Sequence, residues 1–219
     1  MAEALRKRGD VQIEWIGSRR GIEARRVPDA GLPFHSIPAG KLRRYWDWEN
    51  VTDLAFRVPA GLARAGLLLR RLAPDVLFVT GGFVALPPAL AARVLRIPVV
   101  VHEQTAAPGL ANRVAGRFAA RIALSFPAGD GQFPHDRVTV TGNPIRPDLA
   151  GGSRAEACRL LGLGAGQPIV YVTGGSLGSH KINRTVGEAL PRLLELGQVI
   201  HQCGDNPDTG DLAWLEARA

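Results

Sequence analysis

Four short turns hold the groups in this chain that can do chemistry. The most informative is Thr173-Gly174-Gly175-Ser176-Leu177-Gly178-Ser179. It directly follows the apolar run Ile169-Val170-Tyr171-Val172 and precedes a helical pattern that starts near Lys181. A strand that ends in glycines and opens into a helix leaves backbone N–H groups unpaired, and the helix dipole favours negative charge beside them. Gly174, Gly175 and Gly178 lack Cβ atoms and let a ligand come close, while Ser176 adds a hydroxyl. This chemistry suits a pyrophosphate or a sugar nucleotide. A tight strand–helix turn without a ligand explains the same residues.

The other three turns add side chains. Gly81-Gly82-Phe83 follows an apolar run at 76–80, His102-Glu103-Gln104-Thr105 follows Val99-Val100-Val101, and Gly142-Asn143-Pro144-Ile145-Arg146 follows a run at 138–141. His102 and Glu103 are candidate catalytic groups, as base and hydrogen-bond acceptor, and Gln104 offers an amide to sugar hydroxyls. Alternatively, His102 and Glu103 only tie down the next loop. Arg146 presents a planar fork suited to phosphate or carboxylate; a solvated surface arginine is the plain alternative.

These turns need a frame. Val11 to Ile16, Val76 to Thr80, Val99 to Val101, Arg121 to Ser125 and Val138 to Thr141 read as strands. Asn50 to Leu72 (interrupted at Pro59), Ala85 to Leu95 and Leu110 to Ala119 read as helices. Near-continuous apolar strands alternating with helices predict an α/β fold with a parallel sheet covered on both faces, and ligands at the strand C-termini. Gly81, Gly82, Gln104 and Asn143 would then line one rim. The stretch Pro147-Asp148-Leu149-Ala150-Gly151-Gly152-Ser153 reads as a linker, dividing the chain into domains at 1–147 and 148–219. The second domain reads as helix Ala155 to Leu161, strand Ile169 to Val172, the glycine turn, helix Lys181 to Leu194, strand Gln198 to Gln202 and a helix-like end at Leu212 to Arg218. Its turn is expected to face the first rim across a two-domain cleft. Both domains look cut: the first residues read as the back half of a helix, and two strands are few for an independent sheet.

Composition narrows the function classes. The chain has 219 residues, a net charge of +7 and 27 Lys plus Arg, which favours anionic partners. Aromatic residues are only 6% and are not interleaved with basic residues on strands, so no nucleic-acid partner is expected. Two cysteines, Cys158 and Cys203, make neither a disulfide framework nor a zinc site. No paired-carboxylate motif calls for a metal, and no cofactor is expected. No uncharged apolar run is long enough to span a bilayer. The stretch Lys41-Leu42-Arg43-Arg44-Tyr45-Trp46-Asp47-Trp48, with Phe56 beyond it, mixes cations and aromatics as an acidic lipid interface requires; packing of both tryptophans in the core is the alternative.

Taken in order, these motifs resemble the MurG family of peptidoglycan glycosyltransferases, which move N-acetylglucosamine from UDP-GlcNAc onto lipid I to make lipid II. The resemblance runs over nearly the whole chain. It includes Pro74-Asp75-Val76 leading into Gly81-Gly82, Ile97-Pro98 through His102-Glu103-Gln104, Pro108-Gly109-Leu110-Ala111-Asn112, Thr141 to Arg146, the glycine loop with Asn183, and His201-Gln202-Cys203-Gly204. It implies a GT-B architecture of two Rossmann-like domains, with the acceptor in the N-terminal domain and most of the UDP-sugar in the C-terminal one. It carries UDP-GlcNAc binding over to Thr105, Arg146 and Ser176, although family members usually have Asn at 105, Tyr at Phe83 and Ala at Ser179. It also implies a peripheral enzyme on the cytoplasmic face of the bacterial membrane. The family's first strand with its Gly-Gly-Thr-Gly-Gly-His turn, and the rest of its second domain, have no counterpart in these residues. These 219 residues alone are therefore expected to be inactive. Two rival functions remain: another sugar-nucleotide enzyme such as a UDP-sugar epimerase, and a non-catalytic phospholigand- or nucleic-acid-binding protein.

Overall fold

A computed structural model describes residues 1–19, 21–38, 58–146, 149, 151–164, 166–175, 178–204 and 206–218. The chain divides into two compact units, Met1–Pro144 and Ile145–Ala219.

The first unit runs α1 (Ala2–Arg6), β1 (Trp15–Ser18), α2 (Glu23–Asp29), β2 (Phe34–Ile37), α3 (Val58–Leu72), β3 (Leu77–Val79), α4 (Leu86–Val94), β4 (Val99–Glu103), α5 (Leu110–Gly116), β5 (Arg121–Leu124) and β6 (Val138–Val140). β1 and β2 form a parallel pair, and β3-β4-β5-β6 form a parallel sheet in that order. In α3 the buried positions Gly61, Ala65 and Leu69 recur every four residues, so one narrow stripe faces inward. Pro87 and Pro88 sit in the first turn of α4, where no intrahelical N–H is needed, and Ala89, Ala91 and Ala92 let it pack closely. The shared core is built from Ile37, Leu69, Val79, Val101, Ile122, Leu124 and Phe133.

The second unit runs α6 (Arg154–Leu161), β7 (Ile169–Thr173), α7 (His180–Leu196), β8 (Gln198–Gln202) and α8 (Asp211–Glu216), with β7 and β8 parallel. The Ser153 hydroxyl accepts from Glu156 N at 3.3 Å to start α6, and Gly162, at φ +66°, ends it. Gly187 brings α7 against Trp214 of α8: a Cβ there would stand 2.7 Å from the indole Cη2.

Several boundaries differ from the sequence reading. The first strand is Trp15–Ser18 rather than Val11 to Ile16, because its parallel partner Phe34–Ile37 reaches only that far. β2 and α2 were not expected at all; α2 carries Pro28 in its interior and β2 is only four residues long. β4 continues through His102 and Glu103, which pair with Ala123 and Leu124, so these side chains belong to the strand and not to a following turn. The helix expected from Asn50 is described only from Val58.

Candidate functional site

In the first unit the polar cluster grows from the last residue of β4. Glu103 is 5% exposed. Its Oε1 accepts from Thr105 N at 2.9 Å and from the Thr105 hydroxyl at 2.7 Å. Its Oε2 accepts from Gly109 N at 3.1 Å and from Asn112 Nδ2 at 2.9 Å. Burial alone would raise this carboxyl, but the hydrogen bonds from Asn112, Thr105 and Gly109 outweigh it and hold Glu103 below the usual carboxylate range. An ionised carboxylate with four donors closes the 104–109 loop and is a weak base. The Thr105 hydroxyl is turned inward to Glu103 and the Ala107 carbonyl. Asn112, buried on α5, is the residue the sequence reading gave no role. A polar side chain on the inward face of a short helix, nine residues after a strand-end acid, is the signal that marks it.

His102 is 2% exposed. Its Nε2 lies 3.3 Å from the Gly142 carbonyl and 3.4 Å from Ser125 Oγ. A carbonyl only accepts, so this contact puts a proton on Nε2, and the second ring nitrogen, Nδ1, must find its partner elsewhere. That Nδ1 is buried and has no partner among the described residues. The ring stacks with Phe78, centroids 6.3 Å apart. His102, Phe78, Ala123, Thr141, Gly142 and Asn143 line a concavity of about 240 Å³. The structure thus brings together His102 and Asn143 of the expected rim. Gly81 stands instead against Asn112: at φ +97°, a Cβ there would lie 3.0 Å from the Asn112 amide nitrogen. Gly82, at φ +79°, leads into the one-turn helix Phe83–Ala85, and Gln104 is solvent-exposed.

In the second unit, Gly175 and Gly178 have φ of +86° and +75°. A Cβ on Gly178 would overlap the Cys203 carbonyl oxygen, so the loop is pressed onto the end of β8 and only glycine fits. Gly175 N donates to Thr173 Oγ1 at 3.3 Å and Gly178 N to the Gly175 carbonyl at 3.1 Å. The first turn of α7 receives no side-chain cap from Ser179. Asn183 ties the loop to its surroundings, donating to the Cys203 carbonyl at 3.0 Å while its Oδ1 lies 3.1 Å from His201 Nε2. Burial holds the His201 ring below the usual histidine range. Arg146 is exposed and makes no side-chain hydrogen bond or ion pair among the described residues. Ser176 lies outside the described residues, as do Arg43, Arg44, Trp46, Trp48 and Phe56 of the aromatic–basic stretch. Among the described residues, no group of three or more His, Cys, Asp or Glu side chains is placed to hold a metal ion.

Comparison with known proteins decides the family. Residues 1–124 match the glycosyltransferase family 28 N-terminal domain and residues 169–213 match the family's C-terminal domain. The chain belongs to glycosyltransferase family 28. Curated relatives carry the name UDP-N-acetylglucosamine--N-acetylmuramyl-(pentapeptide) pyrophosphoryl-undecaprenol N-acetylglucosamine transferase. One from Shouchella clausii is 45% identical over 195 residues, covering 89% of this chain and 55% of its own. One from Legionella pneumophila is 41% identical over 217 residues, covering 99% of this chain and 59% of its own. The chain therefore spans little more than half the length of these family 28 relatives. The crystal structure of Acinetobacter baumannii MurG superposes with a TM-score of 0.63 at 26% identity, over 99% of this chain and 57% of that one. A UDP-N-acetylglucosamine 2-epimerase superposes with a TM-score of 0.60 at 17% identity, over 97% of this chain and 59% of that one, a likeness of fold alone. These likenesses and the parallel α/β units place the chain in the GT-B architecture expected of a glycosyltransferase.

Proposed function

We propose that the chain is part of an enzyme that transfers N-acetylglucosamine from UDP-GlcNAc to lipid I. The observation that carries this reading is the match over 88–99% of the chain to relatives, 41–45% identical, that are named for this transfer. Family 28 membership and the glycine and polar turns at the strand ends support it. In the proposed reaction the acceptor hydroxyl attacks C1 of the sugar, the C1–O bond to the diphosphate breaks, and UDP leaves. Arg146 and the backbone N–H groups at the start of α7 suit the charge that develops on the leaving diphosphate. Ser176 belongs to the same donor-binding proposal. Of the two candidate bases, His102 is favoured, because it keeps an unpartnered nitrogen whereas every oxygen of Glu103 is engaged.

The proposal includes a peripheral position on an acidic membrane at its cytoplasmic face. Arg93, Arg96, Arg117 and Arg137 line a concavity of about 360 Å³ where β4 begins, a cationic feature that suits lipid phosphates. No described helix is long and apolar enough to cross a membrane.

Titration of UDP-GlcNAc into the chain tests the donor site. Arg146→Ala is expected to weaken binding about ten- to a hundredfold, the weight of one charge-assisted contact. Equal affinity of parent and variant would remove Arg146 from the donor site. Conversion of a lipid I analogue to lipid II by the whole protein tests the transfer; 2-epimerised sugar nucleotide as the product would overturn it.

A further inference from the structure

Beside the glycine loop stands a pair of side chains that the transfer chemistry above leaves unused. His180 is the first residue of α7, and its Nδ1 lies 2.8 Å from Oδ1 and 3.1 Å from Oδ2 of Asp211. Asp211 also accepts from Asn183 Nδ2 at 3.0 Å and from Arg184 Nε at 3.0 Å. The Asp211 side chain is 3% exposed, while that of His180 is 57% exposed. Burial would raise the Asp211 carboxyl, but the hydrogen bonds from Asn183 and His180 hold it below the usual range. The carboxylate therefore accepts, His180 Nδ1 donates, and the edge of the ring bearing Nε2 is the part turned to solvent.

The pair is coupled to the loop. Asn183 bonds Asp211 and also the Cys203 carbonyl, against which Gly178 is pressed. Loop, helix end and dyad thus form one connected block, and the imidazole stands at the same uncapped end of α7 as the first-turn N–H groups. The geometry points to His180 as a further ligand for the phosphate oxygens of the sugar nucleotide, with Asp211 positioning its ring. This rests on the reading of the glycine loop as the donor cradle.

The proton balance follows from the tautomer. With Nδ1–H on Asp211, a neutral ring presents only an acceptor at Nε2. Holding a phosphate oxygen there requires a proton on Nε2 as well, taken up on binding. Among the described residues, Arg184 of α7 shares the Asp211 carboxylate, Lys181 is the next residue in the chain, and His201 of β8 is linked through Asn183.

The test titrates inorganic pyrophosphate and UDP-GlcNAc into the 219-residue chain by calorimetry from about pH 6 to about pH 8, the range in which histidine changes charge. The parent is expected to bind pyrophosphate more tightly at the lower pH. His180→Ala is expected to weaken binding about tenfold, the usual weight of one charge-assisted hydrogen bond, and to flatten the pH profile. His180→Arg, which keeps a cation that can pair with Asp211, is expected to restore affinity without the pH dependence. If the parent binds and His180→Ala binds as tightly, the inference fails while the cradle reading stands. If the parent binds neither probe, both fail. Should His180→Ala not fold, the parent's pH profile and His180→Arg decide, and a flat parent profile overturns the inference.

Discussion

Glu103 in the first unit and Asp211 in the second are both buried carboxylates near glycine turns, yet their charges are stabilised by different means. Glu103 is held only by neutral donors: two backbone N–H groups, a hydroxyl and an amide. Those partners come from two to nine residues along the chain. Asp211 is held by a guanidinium, an imidazole and an amide from 27 to 31 residues away. The first arrangement shapes a loop, and it can form once β4 and α5 are in place. The second clamps two helices together and forms only when α7 and α8 dock. Donors without charge leave no cation for an incoming anion around Glu103. The second cluster keeps an exposed imidazole edge and positive side chains, which suits an anionic ligand in that unit.

The contrast can be broken most severely at Gly178. Gly178→Ala places a Cβ into the Cys203 carbonyl at a φ of +75°, so strain and overlap add. A loss of about 3 kcal/mol is expected, confined to the second unit. Hydrogen exchange measured peptide by peptide checks this: protection should fall over 178–203 and hold over 99–124. Equal loss over 99–124 would overturn this expectation.

Glu103→Gln sharpens the comparison from the other side. The new amide NH₂ must face donors that the carboxylate satisfied, at a cost of about 2 kcal/mol. Faster exchange across 105–112, with unchanged protection around α7 and α8, is the expected result. The acid response follows the same logic. A carboxyl held below its ordinary range contributes stability that is present above its unfolded pKa and lost as pH falls through its folded pKa. Both units should therefore loosen below about pH 4. In Glu103→Gln the acid-induced loss should vanish over 105–112 and persist around Asp211; an unchanged acid response in the loop would show that Glu103 does not control it.

The smallest effect is expected where cations stack on Trp214. Arg184 and Arg218 lie 4.2 Å and 3.9 Å from its ring centroid, but only Arg184 also pairs with Asp211. Arg218→Ala should cost about 0.5 kcal/mol. Arg184→Ala should cost more, because it also leaves Asp211 short of a donor. Equal denaturant midpoints for the two variants would show that the Asp211 clamp adds nothing to the stacking.

Much of the frame was legible in the sequence because it depends on local pattern. The apolar runs that became β4, β5 and β7, the limits of β8 at Gln198 and Gln202, and the placement of glycines at strand ends follow from residue type and spacing over a few positions. β2 and α2 were not legible: a four-residue strand and a helix with an internal proline have too little periodicity of their own, and their packing makes them. The sequence also marked His102, Glu103, Gly142 and Asn143 as glycine or polar residues at strand ends, without showing which of them meet. Tertiary structure decided that His102 reaches Gly142 across 40 residues, that Glu103 turns toward Asn112 and away from solvent, and that Asp211 gathers His180, Asn183 and Arg184. A turn or a strand is fixed by its neighbours in the chain. The partner of a buried polar atom is fixed by how distant segments close on one another, because burial leaves each such atom only the few partners that packing brings within reach.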